Sequence, residues 1–219
     1  MSNPLIELRH VSKQFHHRVV LHDINLTIYA HRIYGFSGPN GSGKTLTFKT
    51  ILGFAKASSG QVQVNGAIIR KDTLFAPGIG FALSEYNVLP NKNGRENLAL
   101  LALLAGNDQA TSIDELLTLV GLSPTDPRKV KDYSLGMRQR LLVAVALIGD
   151  HPIVIFDEPT NALDEDGQQF MITLIKDLQA RGKTVLVSSH DAAFLKAVSD
   201  EIFYFSDGQI VRTEACHAD

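Results

Sequence analysis

The sequence predicts an α/β fold, with a mostly parallel sheet and a helical lobe inserted into it. Three observations point there: strand–loop–helix units recur at both ends of the chain, the middle switches to helical runs, and a glycine-rich loop joins an apolar strand to the helix after it. At 219 residues the chain fits one domain and is long enough to bury a substantial core.

The elements follow in order. "LIELRHVSKQF" (5–15) and "NLTIYAHRIYGFSG" (25–38) carry β-type patterning, with turn-like polar segments between them. "KTLTFKTILGF" (44–54) opens a helix directly after the glycine loop. "GQVQVNGAII" (60–69) alternates polar and apolar residues around Asn65-Gly66, a hairpin signal. From about Glu85 to Asp150 the period becomes helical over Asn97 to Ala105, Ile113 to Val120 and Met137 to Ile148, broken by "GNDQ" and "SPTDP". Alternation then returns. "IVIF" (153–156) is a buried strand, Glu165 to Ala180 a helix, "KTVLVSS" a strand, "DAAFLKAV" a helix and "EIFYFSDGQIVR" a closing hairpin. Without a repeat, low-complexity tract or linker, the helical stretch of about 85–150 reads as a subdomain within a core of about 1–84 and 151–219.

Composition narrows the function. Apolar residues make up 44% and charged residues 20%, ordinary for a soluble globular protein. A formal charge of −2 gives no electrostatic ground to expect nucleic acid as the main partner. Cys216 is the only cysteine, so an intrachain disulfide is excluded and a reducing compartment fits. "MSNPLIELRH" lacks the basic and apolar regions of a signal peptide. The longest apolar runs, Leu98 to Ala105 and Leu141 to Gly149, fall short of the roughly 18 residues of a membrane span. A membrane connection therefore requires a partner chain.

"SGPNGSGKT" (37–45) matches G-x-x-x-x-G-K-S/T between a strand and a helix. Its glycines let successive N–H groups turn inward on phosphate oxygens, and the following helix adds its positive end. Lys44 should reach the β- and γ-phosphates, and the Thr45 hydroxyl should ligate Mg²⁺. The expected nucleotide contacts are Ser37, Gly38, Pro39, Asn40, Gly41, Ser42, Gly43, Lys44, Thr45 and Leu46. A glycine turn that merely precedes a helix is the bland alternative, and the strand–loop–helix context disfavours it.

"IVIFDEP" supplies the other half of such a site. Asp157 ends a strand buried on both faces, where α/β sheets place ligands, and suits a Mg²⁺ contact through water. Glu158 suits polarising a water for in-line attack on the γ-phosphate. Alone, the pair would read as surface acids at a helix cap; after a phosphate loop it reads as catalytic. His190 ends the next strand, which should neighbour that of Asp157 and bring the imidazole to the γ-phosphate. "YSLGMRQRL" (133–141) makes a second anion-binding helix start at Ser134 and Gly136. Either it is a plain cap, or it is a second cradle that serves a partner chain's nucleotide.

In order, "GPNGSGKT", "YSLGMRQR", "IVIFDEP", "NALD" and a histidine after "VLVSS" resemble the ATP-binding subunit of an ABC transporter over nearly the whole chain. "YSLGM" in place of the more usual LSGGQ, with "GRENL" upstream, is most similar to subunits of bacterial ABC-2-type exporters, including bacitracin-resistance and lantibiotic-immunity systems. The resemblance implies the ABC ATPase fold: a P-loop NTPase core with a mostly parallel sheet, an N-terminal antiparallel β subdomain and the inserted helical lobe. It implies that Phe15 stacks on adenine, against the alternative of a plain core aromatic. It implies that Ser134 and Gly136 contact the γ-phosphate across a head-to-tail dimer enclosing two ATP molecules, and that Asn161 to Asp164 form the loop that meets the opposite subunit beside the attacking water. With ATP and Mg²⁺ it implies a transport-coupled ATPase, a homodimer held at the inner face of the cell membrane by a separately encoded permease. The family's usual glutamine after "IGF" is Ser84 here, with Glu85 next. Serine is too short to span the same gap without a bridging water. The rival classes are a soluble or regulatory ABC-type ATPase and a P-loop kinase; such kinases lack "SLGMRQR" and the His190 strand.

Overall fold

The computed structural model describes residues 3–83, 88–106, 112–161 and 163–216. In chain order its elements are β1 (Ile6–Phe15), β2 (Arg18–Ile28), β3 (Ile33–Ser37), α1 (Lys44–Ile51), β4 (Ser59–Val64), β5 (Ala67–Ile68) and β6 (Ile79–Ala82). There follow α2 (Gly94–Leu104), α3 (Ile113–Leu119), α4 (Leu135–Ala146), β7 (Ile153–Asp157), α5 (Glu165–Ala180), β8 (Thr184–Ser189), α6 (Ala192–Val198), β9 (Glu201–Ser206) and β10 (Gln209–Ala215). One sheet is antiparallel, ordered β2-β1-β4-β5; the other runs β10-β9-β3-β8-β7-β6 and is parallel except for the hairpin strand β10.

The apolar patterns explain the layers. In β7, Ile153 and Ile155 face the core shared with α1 and the antiparallel sheet, where Phe36, Phe48 and Val64 also lie. Val154 and Phe156 face the opposite core, with Leu141 of α4, Leu174 of α5 and Leu195 of α6. A strand sandwiched this way has no polar face, which is why "IVIF" does not alternate. Asn65 and Gly66, with φ of +49° and +82°, close β4 onto β5 through a two-residue turn whose twist suits a hairpin.

Local chemistry moved some boundaries. Helix α2 starts at Gly94 rather than Asn97 because Asn93 and Glu96 form a capping box: Asn93 Oδ1 accepts the Glu96 N–H at 2.8 Å and Glu96 Oε2 accepts the Asn93 N–H at 2.9 Å. Asn97 is buried and accepts the Leu89 N–H at 2.6 Å, tying the segment before α2 to the helix. Strand β6 went unanticipated, being only four residues long. It pairs with β7 and carries α4 on its face.

Helices α2 and α3 both pack on α4, which also contacts β6 and β7. Gly80 makes this seat possible. A Cβ there would lie 2.0 Å from the Ala146 carbonyl oxygen at the end of α4. Gly80→Ala is expected to destabilise the fold by about 1–3 kcal/mol, as overpacking does. A denaturant titration measures this; an unchanged midpoint would mean that α4 is not seated on β6 in this way.

Candidate active site

Strand order builds the site. β8 lies between β3 and β7, all parallel, with Ser37 opposite Ser189 and Asp157 opposite Ser188. Their C-terminal ends deliver the loop 38–43, His190 and Glu158 to one edge of the sheet, the edge where such sheets bind ligands.

Gly38 has φ +153°, and a Cβ there would sit 2.4 Å from the Phe205 carbonyl oxygen, so only glycine lets the loop leave β3 in this direction. Gly43 caps α1 in the left-handed conformation without a side-chain hydrogen bond. The first N–H groups of α1 are thus available to an anion. Lys44 is only 5% exposed. Its Nζ donates to the carbonyls of Gly38 (2.6 Å) and Pro39 (3.2 Å) and lies 3.2 Å from Glu158 Oε1. Glu158 Oε1 has no aligned hydrogen-bond donor among the described residues, so charge attraction holds that contact. Glu158 Oε2 lies 3.0 Å from His190 Nδ1 and accepts the His190 backbone N–H at 3.3 Å.

Asp157 is buried and accepts two hydroxyls, Thr45 Oγ1 on Oδ2 at 2.7 Å and Ser188 Oγ on Oδ1 at 2.6 Å. Thr45 and Asp157 thus present hard oxygen donors side by side, the chemistry that Mg²⁺ prefers. Among the described residues no group of three His, Cys, Asp or Glu side chains could hold a metal. The Thr45–Asp157 pair fits Mg²⁺, which takes one or two protein ligands and fills its shell with phosphate oxygens and water.

Beside the loop opens a cavity of about 600 Å³ lined by Lys13, Phe15, Val20, residues 40–46, Lys49 and Glu158. Ser37 is buried in β3 behind it, and Gly38 and Pro39 turn their carbonyls to Lys44. Phe15 is 48% exposed at the cavity rim rather than packed in the core, and the Lys13 ammonium lies 4.6 Å from its ring centroid. A larger cavity, about 950 Å³, lies between α3 and the end of α5, with Asp114, Glu115, Arg181 and Lys183 in its wall and none of the expected site residues.

The structure therefore brings Lys44, Thr45, Asp157, Glu158 and His190 together. Ser134 and Gly136 stand apart from them. Ser134 caps α4, accepting the Met137 N–H at 3.2 Å, and neither residue lines the loop cavity. Leu163 lies against Gly136, and Asp164 caps α5 by accepting the Gly167 N–H at 2.9 Å. Ala162, Ser84 and Glu85 lie outside the described residues. Sequence reasoning missed Ser188 and Lys13. Ser188 is fully buried and bridges the two acids, accepting the Glu158 N–H at 2.9 Å while donating to Asp157. The double serine in "VLVSS" was a weak signal for it; Lys13, on a β-strand with polar neighbours, had none.

The sequence pattern of the ABC transporter family matches residues 21–161. The chain is 31% identical to the lantibiotic transport ATP-binding protein SrtF of Streptococcus pyogenes, over 94% of this chain and 89% of that protein. It is 32% identical to the bacitracin transport ATP-binding protein BcrA of Enterococcus faecalis, over 94% and 68%. Its fold is similar to that of the dimeric ATP-binding cassette MJ0796 bound to ADP and Pi, with a TM-score of 0.87 and 25% identity over 98% of this chain and all of that one.

Lys44→Ala is expected to weaken nucleoside triphosphate binding by roughly 1.5–3 kcal/mol, about ten- to a hundredfold, the worth of a charged hydrogen-bond donor. An equilibrium titration reads it, and an unchanged affinity would remove Lys44 from the phosphate site.

Proposed function

The chain belongs to the ABC transporter family, and on that premise we propose that it is the subunit that hydrolyses ATP to drive an exporter through a separate transmembrane chain. The observation that carries this is the meeting of Lys44, Thr45, Asp157, Glu158 and His190 at the ends of three adjacent parallel strands.

The triphosphate lies in the loop, where Lys44 exchanges its carbonyl and carboxylate partners for β- and γ-phosphate oxygens. Thr45 and Asp157 would hold Mg²⁺, which would supply neutralisation of the phosphate charge when bound. Glu158, freed from Lys44, takes a proton from water as the water oxygen bonds to the γ-phosphorus and the bond to the bridging oxygen of ADP breaks. His190, beside Glu158 Oε2, holds the carboxylate and offers its exposed ring to the departing phosphate. Phe15 at the cavity rim stacks on the base.

Ser134 and Gly136 serve a second subunit's nucleotide. Their place at the start of α4, off the chain's own cavity, supports a head-to-tail dimer with two ATP molecules between the chains. No described helix is long and apolar enough to cross a membrane. We assign the subunit to the cytoplasmic face, attached through its permease. An apolar groove of about 480 Å³ between β6 and α2, lined by Phe81, Val88, Leu89, Leu100, Leu101 and Leu104, supports docking of a permease helix there. The helical lobe rotates toward the core on ATP binding, and the segment at Ser84, next in the sequence after β6, transmits the motion.

Glu158→Gln is expected to retain ATP binding, to lower turnover by roughly 10²–10⁴-fold as loss of a general base does, and to trap a dimer in Mg-ATP. Persistent monomer on size exclusion would refute the shared-nucleotide dimer, and normal turnover would refute the base. Leu104, 82% exposed, tests the groove. Leu104→Glu should reduce capture of the co-encoded permease and its stimulation of hydrolysis by roughly tenfold, about 1.4 kcal/mol, with basal hydrolysis intact. Unimpaired capture would place the permease elsewhere.

A further inference from the structure

Glu158 is held by its backbone as firmly as by its carboxylate. Its φ is +51°, in the left-handed region that a side chain adopts only when its surroundings impose it. Two side chains from different elements grip the peptide groups on either side. On β8, Ser188 Oγ accepts the Glu158 N–H at 2.9 Å. On α4, Gln139 Nε2 donates to the Glu158 carbonyl at 3.2 Å. That carbonyl also accepts the Asn161 N–H at 3.2 Å, closing the turn that leads into the loop beside Gly136. The carboxylate lies between Lys44 and His190, so a rotation of the Glu158 backbone would carry it off both.

The two grips differ in what they are anchored to. Ser188 belongs to the strand next to β7 and moves with the sheet. Gln139 belongs to the helix capped by Ser134, whose far end is seated on β6 at Gly80 and which α2 and α3 also pack against. We propose that Gln139 is a positioning residue for the catalytic carboxylate, and that through it the stance of α4 sets whether the chain's own Glu158 is in place to act. This rests on Glu158 being the base. The start of α4 faces a partner's nucleotide while Gln139, farther along the same helix, holds the base for the chain's own nucleotide. Each subunit therefore senses one phosphate site with the helix that readies the other.

The test uses the full chain with Gln139→Leu, which removes the donor, and Gln139→Glu, which keeps the size but replaces the donor with a carboxylate. Each is made alone and with Glu158→Gln. The expected result is a fall in kcat of about 10–100-fold, the scale of a small misplacement of a catalytic group, with KM and equilibrium ATP affinity within about twofold of the parent. In the Glu158→Gln background neither substitution should lower the residual turnover further, because effects acting through one group do not add. A second readout is independent of activity. In the Mg-ATP dimer trapped by Glu158→Gln, the backbone amides of residues 158, 160 and 161 should be protected from hydrogen exchange, and Gln139→Leu should abolish that protection while the dimer persists. Equal losses with and without Glu158→Gln, an unchanged kcat, or a loss explained by a lowered unfolding midpoint and weaker ATP binding would each overturn the proposal. Normal turnover of Glu158→Gln alone would instead overturn the assignment of the base, a failure visible before Gln139 is touched.

Discussion

Parallel pairing of β3, β8 and β7 at one fixed register governs the rest of the structure. A slip of one residue between β7 and β8 would turn Ser188 away from Asp157, since alternate side chains of a strand face opposite ways. The register is secured by burial on both faces: Ile33, Val185 and Val154 belong to one core, while Tyr34, Leu186 and Ile155 belong to the other. Shifting any strand would exchange these sets. The site is therefore held by the apolar layers beneath it, and the hydrogen bonds between its own polar groups refine a geometry already imposed.

Those polar groups are nearly dry, which shapes both stability and chemistry. A buried ammonium, a buried carboxylate and a partly buried one are costly unless every charge has a partner. Lys44 finds two carbonyls and Glu158; Asp157 finds two hydroxyls. These partners are of a kind that phosphate and Mg²⁺ can replace, so the cluster is both satisfied and exchangeable. Low local dielectric also strengthens the field that such groups direct at developing charge.

The joint between α4 and the sheet carries a different kind of constraint. Gly80 brings the end of α4 to backbone contact with β6, whereas its beginning touches the site through Gln139 and, beside Gly136, through Leu163. Between these ends the helix buries Leu141, Leu142, Val143 and Ala144 in the core, and near its start Gln139 reaches the backbone of Glu158. Motion of the helices packed on α4 is then felt at Glu158 rather than at Asp157, whose partners Thr45 and Ser188 both belong to the core elements α1 and β8.

Much of this was legible because the chemistry is written in contiguous stretches. A glycine loop, an acid pair after an apolar run and a histidine after a strand each need only local backbone geometry to take their shape. The hairpin at Asn65-Gly66 was legible for the same reason. By itself the sequence determined the alternating α/β pattern, the phosphate-wrapping loop, the all-apolar strand before Asp157 and the family to which they belong. Tertiary structure alone decided that α4 rests on Gly80, that Phe15 stands at a cavity rim instead of in the core, and that Ser188 and Gln139 grip Glu158 from two sides. Each of these depends on which strands are neighbours and which way a side chain points from them. Residues 19 and 30 positions from Glu158 meet it only once the sheet order has closed the distance, and no local pattern encodes that meeting.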